Sequence, residues 1–277
     1  MQVRILTTSQ IMESIELKKI LKEIGESVHS MNTIAVALSY LPDKGKVKVP
    51  EGLDISWEPK NIKDSKFKSR NYAERSSYVY SAESLFEYLE SISKNPFWKY
   101  PDINFIGEEK KALKVFNFLN SIPDIDKEMA ILCELLCHWR NRIVHMNISN
   151  ASISSKKRDY LMEKREAIYN KYHHFDIEQA LDNFDNKRIT LKDASTLITL
   201  VIKCAKAIDK YFFQGISVDV STNELIDTFK TDKSFDIIYK QAYSTKRNRQ
   251  LSRWLEVNYP YLPDGKKETI LKLIKSP

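Results

Sequence analysis

Glycine is scarce in this chain: 277 residues hold only six, at Gly25, Gly45, Gly52, Gly107, Gly215 and Gly265. No two lie close enough to build GxGxxG or a GxxxxGK phosphate loop, so a nucleotide-hydrolysing P-loop fold is excluded. So few glycines also argue against a sheet-rich fold with many tight turns. Long apolar runs are missing as well. Ile34 to Leu38 and Leu197 to Ile202 fall far short of the roughly 20 residues a membrane helix needs, and no membrane partner is expected. Cysteine is rare and odd in number, three in all, which fits a reducing cytoplasm better than a disulfide framework. The N-terminal residues lack a signal-peptide layout, so Asn147-Ile-Ser149 and Asn150-Ala-Ser152 are read as serine-rich linker, and a cytoplasmic location is expected.

Metal-ligand spacing is also absent. There is no zinc-finger or EF-hand pattern, and no Ser-His-Asp or Cys-His arrangement has supporting context. Cys133, Cys137, His138 and His145 do share one helix-forming stretch. Its thiols lean toward the apolar side and its imidazoles nearly the other way, so that helix alone closes no tetrahedral site. No metal and no cofactor is expected, and Cys133, Cys137 and Cys204 are read as small core side chains.

What the chain does have is helical periodicity. The stretch Ile125 to Asn147, IDKEMAILCELLCHWRNRIVHMN, contains neither Gly nor Pro and begins just after Pro123, which predicts a single helix of about six turns. Met129, Leu132, Leu136, Trp139 and Ile143 recur at spacings of three and four and form one apolar stripe. Arg140 lies beside that stripe. Glu134, His138, Asn141 and His145 share the opposite side, which is either a solvated surface or a reactive one.

Arg140-Asn141, then three residues, then His145, in the last turn and a half of a strongly apolar helix, resembles the active-site signature of the HEPN superfamily (higher eukaryotes and prokaryotes nucleotide-binding domains). The resemblance implies an antiparallel helical bundle and a metal-independent endoribonuclease. In such an enzyme the 2′-hydroxyl attacks the adjoining phosphodiester, leaving a 2′,3′-cyclic phosphate and a 5′-hydroxyl. The residue types suit that chemistry, because RNA carries its own nucleophile and the protein needs only a proton carrier and a cation. An imidazole exchanges protons near neutral pH, and a guanidinium offers planar paired donors to phosphate oxygens. On this resemblance His145 is the acid or base, Arg140 the phosphate clamp, and Asn141 a holder of the imidazole or a donor to substrate. His138 and Glu134 are accessory candidates. Many HEPN proteins act as toxins or antiphage defence effectors, which implies RNA as partner and a cognate inhibitor or defence-system partner. The alternative is a HEPN-like bundle without catalysis, serving as an RNA-binding or dimerisation module.

The remaining periodic segments make the expected fold class all-α, an antiparallel helical bundle with additions at both ends. Residues 1–65 are read as an N-terminal helical extension, 66–216 as the HEPN-like bundle and 217–277 as a small helical C-terminal appendage. The extension holds one long helix from Ser9 to about Leu41 and an irregular segment with room for a short strand near Val47 and Val49. A net charge of +7 favours an acidic partner. Lys156, Lys157, Arg158, Lys164 and Arg165, on a helix expected to run to about Tyr172, follow the proposed site closely and are the preferred RNA-binding residues. A second basic run, Lys60 to Arg75, is interleaved with Tyr72 and leads to Tyr78 and Tyr80; it reads first as a solvated face with tyrosines in packing roles. Finally, on an ideal helix Arg140 and His145 point about 140° apart and lie about 7.5 Å apart along the axis. That divergence predicts a homodimer with a composite site around a two-fold axis.

Overall fold

The structure, a computed structural model, describes residues 13–105, 110–145, 152–215, 221–260, 262 and 264–275. Among these it is all-α, with twelve helices and no strand. Lys46 to Pro50, where a short strand had room to form, is irregular.

Local signals set most helix starts. In α1 (Ile15–Ser39) the Ser14 hydroxyl accepts the Leu17 N–H at 3.0 Å, and in α2 (Ile62–Ser93) the Asn61 side-chain oxygen accepts the Asp64 N–H at 3.1 Å. Each such cap contributes about 1 kcal/mol by satisfying an otherwise orphaned donor. Two more helices, α3 (Lys111–Asn120) and α4 (Lys127–Val144), form a hairpin, and α4 is the helix read from the sequence as Ile125 to Asn147. The basic segment expected as one helix to Tyr172 is two, α5 (Ser155–Glu163) and α6 (Arg165–Lys171). They part at Lys164, whose φ of −91° and ψ of 9° leave the helical range, and both halves pack against α7 (Ile177–Asp185). His173 and His174 close α6 in the left-handed region, with φ of 51° and 60°.

Next comes α8 (Leu191–Gly215), started by the Thr190 hydroxyl accepting the Asp193 N–H at 3.1 Å. Four shorter helices complete the chain: α9 (Thr222–Thr231), α10 (Lys233–Tyr239), α11 (Thr245–Asn258) and α12 (Asp264–Ile274). They enclose Phe229, Phe235, Trp254 and Tyr259, and the Tyr259 ring lies 6.4 Å from that of Phe97, tilted by 49°. Arg247 and Trp254, basic and aromatic neighbours on α11, are buried here. The arginine donates to the Tyr239 carbonyl and the indole N–H to the Ser234 hydroxyl.

Long helices α1, α2, α4 and α8 form the bundle. Asp209, late in α8, accepts the Ser14 N–H, and Lys19 pairs with Glu87, so α1 begins where α2 and α8 end. Tyr88 donates to the Ala205 carbonyl and Tyr78 lies near Asp193, so α2 and α8 run the same way. Cys133 meets Cys204 while Trp139 meets Tyr78, so α4 runs opposite to both. Every residue from Met129 to Cys137 is buried. The helix is thus enclosed on all sides by α2, α3, α5 and α8 over its first turns, which is the behaviour of a core helix rather than a half-exposed one. Its supposed polar face is correspondingly not solvated at Glu134, which is 5% exposed.

Candidate active site

The geometry of interest lies where α4 leaves the core. Ile143 is half-buried, Val144 is exposed, and the helix ends there, with the His145 N–H donating to the Asn141 carbonyl at 2.9 Å. His145 itself is extended, with φ of −114° and ψ of 90°. That turn of the backbone changes the geometry of the motif. On a continued helix the two side chains diverge; with the chain swung out at residue 145, the imidazole folds back and its Nε2 lies 3.3 Å from Nη1 of Arg140. The same Nη1 donates to the Asn141 side-chain oxygen at 3.2 Å. Arg140, Asn141 and His145 therefore converge within one chain, and the angular divergence that motivated a site shared across a two-fold axis does not apply at this helix end.

A fourth residue completes the cluster. One Glu83 carboxylate oxygen, on α2, accepts from Arg140 Nε at 2.6 Å and Nη2 at 2.5 Å. The side chains are 19% exposed for Arg140 and 43% for Glu83, so the pair sits at the surface of the bundle and stays within reach of a ligand. A guanidinium has no acceptor, so a hydrogen bond across this contact requires the tautomer in which Nε2 is the acceptor. In that tautomer Nε2, on an exposed residue beside a fixed cation, can accept a proton from a ligand. Glu83 escaped the sequence reading because its partner is 57 residues away. The local signal is weak: a carboxylate at the edge of α2's apolar face, next to Ala82.

The accessory candidates form a separate network. Lys157 pairs with buried Glu134 and sits over the Phe116 ring at 3.3 Å, and His138 Nε2 stands 3.7 Å from Glu134. This network faces α3 and α5, fastens α5 to α4, and among the described residues shares no hydrogen bond or ion pair with Arg140 or His145. His138 Nδ1 is buried without a hydrogen-bond partner among the described residues. Of the other preferred RNA-binding residues, Arg158 holds Asp185 with two hydrogen bonds of 2.6 and 2.8 Å, and Lys164 pairs with Glu163 at 3.6 Å. Lys156 and Arg165 are exposed. The sequence placed five cations near the site; the fold commits Lys157 and Arg158 to holding α5 in place.

Cys133, Cys137 and Cys204 are fully buried, and among the described residues no group of three or more His, Cys, Asp or Glu side chains is arranged to hold a metal. No helix among the described residues is long and apolar enough to cross a membrane. No family model, no curated protein and no solved structure matches this chain.

Proposed function

We propose that this protein is a metal-independent endoribonuclease of HEPN type, acting in the cytoplasm, with a toxin or antiphage role and a cognate inhibitor or defence-system partner implied by the resemblance. The observation that carries the reading is the approach of Arg140 Nη1 to His145 Nε2, 3.3 Å, at an exposed helix end. In the proposed reaction neutral His145 takes the proton of a ribose 2′-hydroxyl as its oxygen bonds to phosphorus. The bond to the 5′ oxygen breaks, and the imidazolium returns the proton to it. Arg140 holds the phosphate oxygens while negative charge builds on them. Asn141 fixes the guanidinium between substrate and imidazole. A homodimer of this chain brings together two complete sites rather than two halves.

The test is cleavage of single-stranded RNA in excess chelator, with the ends identified. The expected products are a 2′,3′-cyclic phosphate and a 5′-hydroxyl. His145→Ala and Arg140→Ala each lower the rate by about 10²–10⁴-fold, the range for removing a proton carrier or an oxyanion donor, with the melting temperature unchanged for His145→Ala and lowered by only a few degrees for Arg140→Ala, which loses its pair with Glu83. Activity abolished by chelator and restored by magnesium refutes the proposal. The Glu83 pair favours a second reading, an RNA-binding module without turnover, because it holds Arg140 away from substrate. RNA binding without cleavage, insensitive to His145→Ala, selects that reading.

A further inference from the structure

Helix α2 carries more than the Glu83 carboxylate. Tyr72, Ser76, Val79 and Glu83 are spaced i, i+4, i+7 and i+11 and so share one face, flanked by Arg75 and Tyr80. The helix buries its other side, where Tyr78 is 0% exposed and packs on Trp139 at 5.6 Å. Tyr72 and Tyr80 are 74% and 64% exposed, and neither has a ring contact or hydrogen bond among the described residues. Tyrosines in a packing role do not look like this. Arg75 is exposed and makes no ion pair among the described residues, and Lys68, about two turns further, is held only by an exposed pair with Asp64 at 2.8 Å.

On this face Arg75 and Lys68 lie toward the N-terminal end of α2, whereas Glu87 and Glu90 lie toward the C-terminal end, paired with Lys19 and Lys94. Because α4 runs opposite to α2, its His145 end points toward the Arg75 end. We propose that this face is a track for single-stranded RNA that leaves the Arg140 and His145 site toward Tyr72, with Tyr80 and Tyr72 as stacking platforms and Arg75 and Lys68 on the phosphates. The proposal rests on the reading of that site as an RNA site and deepens it. Eight residues of helix separate the two tyrosines by about 12 Å, which spans about three to four nucleotides at a stacked rise of about 3.4 Å. Aromatic stacking tolerates any base, and the phosphates follow the cations, so the track recognises single strands with little sequence preference.

The test is binding of a 2′-O-methyl oligouridylate, which lacks the attacking hydroxyl, measured by fluorescence anisotropy at several salt concentrations. Tyr72→Ala and Tyr80→Ala are each expected to weaken binding about tenfold. Arg75→Glu is expected to flatten the slope of log affinity against log salt by about one. Tyr243→Ala, an equally exposed tyrosine far along the chain at 61%, is the control and leaves both unchanged. Unchanged affinity in the two α2 tyrosine variants, or no binding by the parent protein, overturns the track. So does a loss of dimer mass in those variants without loss of affinity, which assigns the face to a second copy. Cleavage is scored separately: the binding pattern without any cleavage supports the track and removes only the nuclease reading.

Discussion

Replacing Glu83 by Gln removes the charge that competes with phosphate for Arg140 while keeping the side chain's shape and one acceptor oxygen. The size of the effect follows from the pair's surroundings. One carboxylate oxygen sits 2.5 to 2.6 Å from two guanidinium nitrogens, with side chains 19% and 43% exposed. Unit charges about 4 Å apart interact by roughly 1 kcal/mol in bulk water and roughly 4 kcal/mol at an effective dielectric near 20. Solvent reaches this pair, so screening places it toward the lower end, about 1–2 kcal/mol. An incoming phosphodiester meets that much opposition from the carboxylate. Glu83→Gln is therefore expected to tighten binding of an uncleavable oligonucleotide by about fivefold to thirtyfold, and to steepen its salt dependence as one anionic competitor disappears. Anisotropy titrations across a salt series measure both, and thermal unfolding checks that the fold is intact. Weaker or equal binding by the variant refutes the reasoning, because it means that the carboxylate holds Arg140 in its binding position and does not compete with the ligand.

Asp209, buried against the α1 N-terminus where it accepts the Ser14 N–H, has its carboxyl pushed up to about 6 by burial, with Ser14 opposing. A folded-state value above the unfolded one means stability present at low pH and lost as pH rises from about 4 to about 6, roughly 3 kcal/mol in all; Asp209→Asn should remove that slope from denaturant midpoints, and an unchanged slope refutes it. Leu136→Ala, at 0% exposure in α4, should lower unfolding free energy by about 2–5 kcal/mol, and a loss below 1 kcal/mol in urea melts contradicts the enclosed position of that helix. Glu134→Ala strands Lys157 over Phe116 without its counter-charge and should destabilise by about 3 kcal/mol in the same assay, with Lys157→Met in that background recovering most of it. Mixing Arg140→Ala with His145→Ala chains should restore no cleavage, since each chain holds a whole site; recovery of activity would show that the site is shared.

The fold class was legible because helix starts and stripes are local. Thr190 and Ser221 cap the helices that follow them, and Met129, Leu132, Leu136 and Trp139 are buried as their spacing requires. The end of α4 was not legible. Nothing in Ile143-Val144-His145-Met146 is a helix stop, so an ideal helix was extended through His145 and the motif's two poles were placed too far apart. Burial of Glu134 was missed for a different reason: its polar neighbours at intervals of three and four look like a solvated face, and only the arrival of α5 with Lys157 covers it. Arg158 and Asp185, 27 residues apart, similarly pair through a turn of chain that no local pattern encodes. Tyr72, Tyr78 and Tyr80 have nearly the same sequence context, and the direction each faces around α2 separates one core residue from two exposed ones.

Between α4 and α8 the sulfurs of Cys133 and Cys204 lie 3.6 Å apart, and Cys137 is enclosed one turn further along. Contact with Cys133, together with burial, raises the Cys204 thiol well above its usual range, and burial does the same at Cys137. Alkylating reagents react with thiolates, and the chain has no other cysteine. Such a reagent in the solvent thus acts as a clock for the seam between the two helices, marking the protein only when α4 lifts from α8. The Cys133–Cys204 contact lies about two turns before Trp139 and Arg140 along α4. A nucleic acid that seats on the outer end of α4 without moving it leaves the clock running at its resting rate, and one that must pry the helix loose makes it run faster.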